Sequence, residues 1–213
     1  MENYRSAISK VLKQIHHDLS LSADAKTNLN VILNRLCEKI VKECSSLMKP
    51  KNFTNSGKKL PQKKTLSVLE AETATKLVFH DAIQKHAVAN GRKAVANFKR
   101  GQKEIPPTER AKLQFPISKT RTLIQKHMLK NDSLGPFAVV YITAILEYVC
   151  AEVLELSGNY CSRDHRKRIN STDIKTSIIY DMELDPLISK DLKISLTGEV
   201  AANKRKRFDT VTL

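Results

Sequence analysis

Residues 22–50 read SADAKTNLNVILNRLCEKIVKECSSLMKP. Within them Leu29, Leu33, Leu36, Ile40, Cys44 and Leu47 recur at steps of three and four, the spacing of one face of an α-helix. Ser22 stands where a helix start is expected and Pro50 where one must stop, so the stretch predicts one helix of about 28 residues. A single helix of that length cannot cover its own apolar face and needs partners on several sides.

Shorter patterns flank it. Ile8, Val11, Leu12 and Ile15 mark an amphipathic segment upstream. Downstream, Ser67-Val-Leu-Glu70 is a capping-box pattern that opens a third helix running to Phe79, and Asp81 to Phe98 continues as a fourth. The polar loop from Pro50 to Thr65 carries Lys51, Lys58, Lys59, Lys63 and Lys64. The second half repeats the layout in almost unrelated sequence. A short helix follows Pro116, a long one runs from about Pro136 to Arg163 with Ile142, Ile145, Leu146, Val149, Val153 and Leu156 on one face, and a short one follows Asn170. Neither half has enough elements to close a core around its long helix, so the two are expected to pack on each other.

Between them, residues 99–110 contain Gly101, Pro106 and Pro107 in a polar setting without apolar period and read as a linker. Fully extended, it spans roughly 40 Å, enough to join two units packed side by side. The expected organisation is therefore 1–98, a linker at 99–110, and 111–213. With 213 residues, no Trp, 5% aromatics, six Gly and seven Pro, the apolar mass is aliphatic and the chain reads as all-α.

The net charge is +15, with excesses of nine, two and four positive charges in those three segments. Such a field attracts polyanions, nucleic acid or an anionic membrane surface, before any specific contact. No apolar run approaches 18 residues and the first thirty carry Asp18, Asp24 and a His16-His17 pair. Neither a spanning helix nor a signal peptide is expected, and the chain reads as soluble and intracellular. Cys37, Cys44, Cys150 and Cys161 sit within or at the end of apolar helical patterns and form no CxxC pair, as small buried hydrophobes do.

Three constellations stand out. Glu147, Glu152 and Glu155 share an arc of about 140° on the second long helix, in a stretch without Lys or Arg from residue 131 to 162, and Asp181 and Glu183 follow the next helix. They read either as a solvated face or as an acidic docking surface. Arg163-Asp-His-Arg-Lys-Arg168 lies between helices, where side chains and free backbone N–H groups can hold phosphate, or simply as a solvated loop. Lys204-Arg-Lys-Arg207 suits a nuclear-import signal or a phosphate-binding tail equally. Nucleophile elbows, phosphate-cradling glycine loops and HExxH are absent, adjacent His16 and His17 point about 100° apart, and no enzyme activity, metal or cofactor is expected.

Lys10-Val-Leu-Lys-Gln-Ile-His16, the long helix from Ser22 and Lys85-His-Ala-Val-Ala-Asn-Gly-Arg-Lys-Ala-Val95 resemble core histone 2B. Leu113-Gln-Phe-Pro116, Leu146-Glu-Tyr-Val-Cys-Ala-Glu-Val-Leu-Glu-Leu-Ser-Gly-Asn159 and Arg168 resemble core histone 2A. The similarity spans roughly 4–98 and 112–195, and the fused order is similar to the histone doublets of giant DNA viruses of the Marseillevirus type. It implies two histone folds in a handshake, loops of opposite halves paired into DNA-contacting edges, and wrapping of double-stranded DNA beside a histone 3/4-type partner, with no membrane partner. By match to the family's positions, Arg168 is the groove arginine of the second 2A loop with Lys167 beside it. Lys63, Lys64 and Thr65 match the second 2B loop, with Lys where the family has the planar fork of Arg. Lys119 matches an arginine position, Lys10, Lys13 and Arg121 are further candidate contacts, and Thr122, Gln125 and Ser133 stand where arginines are usual. Glu147, Glu152, Glu155, Asp181 and Glu183 match the family's acidic patch, a surface for partner proteins. Met182, Ala82 and Asn90 replace acids there. The resemblance implies a nuclear or viral-factory location, and a place in the virion if the chain is viral.

Overall fold

The computed structural model describes residues 1–49, 63–129 and 132–192. Most of the Pro50 to Thr65 loop and the Lys204–Arg207 run lie outside the described residues. Along the chain run α1 (Arg5–Ile15), β1 (Ser20–Leu21), α2 (Ala23–Met48), β2 (Thr65–Leu66), α3 (Val68–Val78) and α4 (Asp81–Arg100). Then come α5 (Pro107–Arg110), α6 (Ile117–His127), β3 (Ser133–Leu134), α7 (Pro136–Arg163), β4 (Arg168–Ile169), α8 (Ser171–Tyr180) and α9 (Leu184–Leu192).

The helix ends follow local chemistry. The Ser22 hydroxyl accepts the Ala25 N–H at 3.1 Å and starts α2. Ser67 with Glu70, and Asn170 with Asp173, form capping boxes at α3 and α8. Pro136 supplies the preset φ of the first turn of α7. The 99–110 segment differs from the expectation of a plain linker: α4 runs on through Arg100, and Pro107 seeds the single turn of α5. The short α9 also has no counterpart in the sequence reading.

The two long helices, about 39 and 42 Å at 1.5 Å per residue, are the axes of the molecule. α7 is covered mainly by the opposite half and α2 by both halves alike. α7 packs against α1, α3 and α4 as well as its own α6 and α8, and α2 packs against α6 and α8 as well as α3. One continuous apolar core results, with Tyr4 and Phe115, from opposite halves, stacked at 5.0 Å and both fully buried. By length and composition α7 could cross a membrane, contrary to the reading from apolar runs alone. Most of its apolar residues are buried inside the protein, which accounts for the composition without a bilayer.

The four two-residue strands join the halves crosswise. β1 pairs in parallel with β4, Ser20 opposite Arg168 and Leu21 opposite Ile169. β2 pairs in parallel with β3, Thr65 opposite Ser133 and Leu66 opposite Leu134. Gly135 is required at the second junction, because a Cβ there would come to 2.9 Å of the Leu66 carbonyl oxygen. The two halves thus pack on each other, as their incomplete cores led us to expect, and do so in the handshake that the resemblance implies.

Candidate nucleic-acid interface

The β1–β4 edge is held by backbone bonds. The Ser20 N–H donates to the Lys167 carbonyl at 3.0 Å and the Ser22 N–H to the Ile169 carbonyl at 2.9 Å. With the backbone so occupied, the Lys167 and Arg168 side chains are exposed, and α2 and α8 start within two residues of the paired strands. Helix N-termini carry partial positive charge, so side chains and dipoles here act in the same direction on an anion. Arg166 does not join them. Its guanidinium forks onto Asp173 at 2.6 and 2.8 Å and reaches Asp164 at 2.9 Å, which raises its pKa further. Asp173 also accepts the Asn170 N–H at 2.8 Å, so one carboxylate fixes both the loop and the start of α8.

The β2–β3 edge repeats this plan with lysine. Lys63 Nζ lies 2.6 Å from Glu70 and 3.3 Å from the Ser67 hydroxyl. Burial pushes the Glu70 carboxyl up, but the hydrogen bonds from Lys63 and Ser67 outweigh it and hold the group below the usual carboxylate range. Lys63 is therefore engaged within the protein, whereas Lys64 and Thr65 are exposed along the edge with Ser133 opposite. In both halves the acid at the third position of the helix grips the cation seven residues earlier. The sequence reading missed that pairing, although the equal spacing of Lys63 to Glu70 and Arg166 to Asp173 carries it.

The other expected contacts are distributed differently. Lys13 Nζ donates to the carbonyls of His17 and Leu19 at 2.9 and 3.0 Å, tying down the turn into β1. Lys119 Nζ donates to the Asn3 carbonyl at 2.6 Å, beside the Lys126–Glu2 ion pair at 2.7 Å. These bonds dock the chain's first residues on α6 rather than leaving two cations free. Lys10 on α1 is exposed and Arg121 on α6 half-exposed.

The five acids divide in the same way. The Glu147 carboxylate accepts the N–H groups of Gln114 and Phe115 at 2.6 and 2.8 Å, and burial pushes its pKa up. Glu183 accepts the N–H groups of Ala82 and Ile83 at 3.2 and 2.7 Å, capping α4 from the other half. Asp181 accepts those of Glu183 and Leu184 at 3.0 and 2.8 Å and starts α9. Glu152 is half-buried, and burial together with the charges of Glu155 and Asp181 pushes its carboxyl up. Thus Glu152, Glu155 and Asp181 form one electrostatic group from which Glu147 is separate. Met182 beside them is 92% exposed. Among the described residues no group of His, Cys, Asp and Glu is arranged for a metal ion.

Over 100 residues the chain is 39% identical to the Z-type variant of histone 2A from Mycosarcoma maydis, covering 73% of that protein and 46% of this one. The chain belongs to the core histone family. The family model for the core histone domain, shared by histones 2A, 2B, 3 and 4, matches residues 94–179 of this histone. The Z-type variant of histone 2A from Saccharomyces cerevisiae is 42% identical over 79 residues, 37% of this chain and 59% of the relative, so the match spans about three-fifths of that protein. A histone 2B variant of Dictyostelium discoideum is 27% identical over 195 residues, 83% of this chain and 81% of the relative. Among solved structures, the histone from Methanopyrus kandleri matches with a TM-score of 0.51 at 18% identity, covering 84% of this chain and 94% of that one, a likeness of fold. That fold is the handshake of paired loops described above.

Proposed function

We propose that this histone is a fused doublet that packages DNA, its 2B-like fold at 1–98 joined through 99–110 to a 2A-like fold at 111–213. The observation that carries the reading is the crosswise strand pairing, which puts Lys167 and Arg168 on one solvent-facing edge and Lys64 and Thr65 on the other. Phosphate contacts of this kind position a duplex without reading its sequence. Lys10 and Arg121 extend the basic surface, while Lys13, Lys63 and Lys119 act by holding the loops and the chain start in place. The doublet completes a nucleosome-like particle together with a histone 3/4-type partner. Glu152, Glu155 and Asp181, with Glu147 and Glu183 as structural supports, form a reduced acidic patch for basic partner proteins. The reading is of a structural, non-enzymatic protein acting in the nucleus or, if the chain is viral, in the viral factory and the virion.

Nuclease protection of DNA assembled with the full chain, with and without a histone 3/4-type partner, tests this. A discrete protected length that needs the partner is the expected result. A smear in both cases favours a second reading, a histone-fold interaction scaffold with incidental DNA contact. The intramolecular engagement of Lys13, Lys63 and Lys119 is the observation on that side.

A further inference from the structure

A cleft of about 300 Å³ opens between α1, α4 and α7 and is walled on its remaining side by residues 111–113. Its floor is apolar, made by Val11, Ala94 and Ala144, and its rim is polar, with Gln14, Lys93, Asn97 and Lys112. No hydrogen bond or ion pair joins any of these four rim side chains to a described residue. That combination, an apolar floor under polar side chains without partners among the described residues, is what a ligand site presents.

The wall is built rather than draped. Lys112 stands at φ 56°, a left-handed backbone that glycine takes freely and lysine does not. It is held by its N–H on the Glu109 carbonyl at 2.8 Å and by the Leu113 N–H on the Thr108 carbonyl at 3.0 Å. Glu147, the acid among the lining residues, turns its Oε2 to the N–H groups of Gln114 and Phe115 and so anchors the wall. What it leaves at the rim is two free ammonium groups and two carboxamides, a set complementary to carboxylates and to a peptide backbone.

We propose that this cleft docks a short acidic peptide segment of a partner protein, seating one apolar side chain on the floor and carboxylates against Lys93 and Lys112. The apolar floor favours a peptide, which can project a hydrocarbon side chain into it, over a nucleic acid backbone, which cannot, and the two ammonium groups repel a basic segment. None of the lining residues belongs to the strand-paired edges. Occupancy of the cleft and DNA contact are therefore separable.

The test uses the full chain and a fluorescein-labelled peptide of Asp and Glu around a central Leu, with the same peptide carrying Ser in place of that Leu. Anisotropy titrations are expected to show the Leu peptide binding about tenfold tighter. Lys93→Glu with Lys112→Glu is expected to weaken it about tenfold or more while leaving affinity for a short duplex within about twofold. Lys167→Glu with Arg168→Glu is expected to do the reverse. Lys112→Gly, which suits the left-handed backbone, supplies the same readout at about threefold should the double reversal fail to fold. Equal binding of the two peptides, or peptide binding lost only with Lys167 and Arg168, overturns the proposal and assigns the attraction to the general positive field. Poor duplex binding by the unmodified chain bears on the packaging reading alone.

Discussion

Gly91 lies on α4 against the ring of Tyr141 on α7, at the contact that joins the two halves most extensively. A Cβ built at Gly91 would overlap Tyr141 Cε2 and stand 2.7 Å from both Cδ2 and Cζ. An ordinary contact needs about 1 Å more, and the ring is fully buried, so it cannot swing into solvent. For Gly91→Ala, forcing one extra carbon into such a site costs about 1–3 kcal/mol, and the better helix propensity of alanine returns about 1 kcal/mol. With displacement of this size the upper part of the range applies, leaving a net loss of about 1–2 kcal/mol. For a chain of this length that corresponds to a fall in Tm of about 2–8 °C. Urea and thermal unfolding of both proteins, followed by far-ultraviolet circular dichroism, measure it. In a Tyr141→Leu background the obstruction is gone, and the same Gly91→Ala change is expected to stabilise by up to about 1 kcal/mol. An unchanged or raised Tm in the native background, or equal losses in both, would refute the argument that α4 seats on α7 through this glycine.

The remaining predictions address charge. Asp173→Asn removes one arm of the fork that holds Arg166 and is expected to cost about 2 kcal/mol of unfolding free energy, as a partly exposed charge-assisted pair does; a change under a few tenths would remove its structural role. Lys167→Ala with Arg168→Ala is expected to reduce the slope of log K against log salt for duplex DNA by about 2, and Lys63→Ala by less than about 0.9, because Glu70 already engages Lys63. Equal effects at Lys63 and Arg168 would contradict that distinction. The hydrogen bonds from Arg92, opposed by burial and joined by one from Lys76, hold the Glu72 carboxyl at about 2, below its ordinary 4.5. A depressed folded pKa means stability that is present above 4.5 and lost as pH falls toward about 2, so the stability difference between the native chain and Glu72→Gln is expected to shrink to nothing across that window. Urea unfolding of the two proteins at a series of pH values reads it, and a difference that stays constant with pH would remove the ion pairs at Glu72 as its source.

Much of the framework was legible before any coordinates. Leu29 to Leu47 and Ile142 to Leu156 repeat every three or four residues because a helix turns every 3.6, and the caps at Ser22, Ser67 and Asn170 act on backbone groups within a few residues. Such signals are local, so order along the chain suffices to read them. The long helix at Pro136–Arg163 was bounded correctly for this reason. The turn at Pro107–Arg110 was not, because four residues carry no period to detect.

Which charged side chains remain free was a different matter. Lys13, Lys63 and Lys119 look the same in sequence as Lys64 and Lys167, yet the first three meet carbonyls or a carboxylate, Lys119 the carbonyl of Asn3, 116 residues away. Glu147 and Glu183 likewise read as surface acids until the backbone of Gln114 and Phe115, or the start of α4, arrives against them. The sequence by itself determined the longer helices, most of their ends, the two incomplete cores and the positive field, because each depends on neighbours in the chain or on summed composition. Only the tertiary structure decided the register of Ser20 on Arg168, the division of the acids and the cleft beside Lys112, because each is set by groups far apart in sequence that folding alone brings within reach.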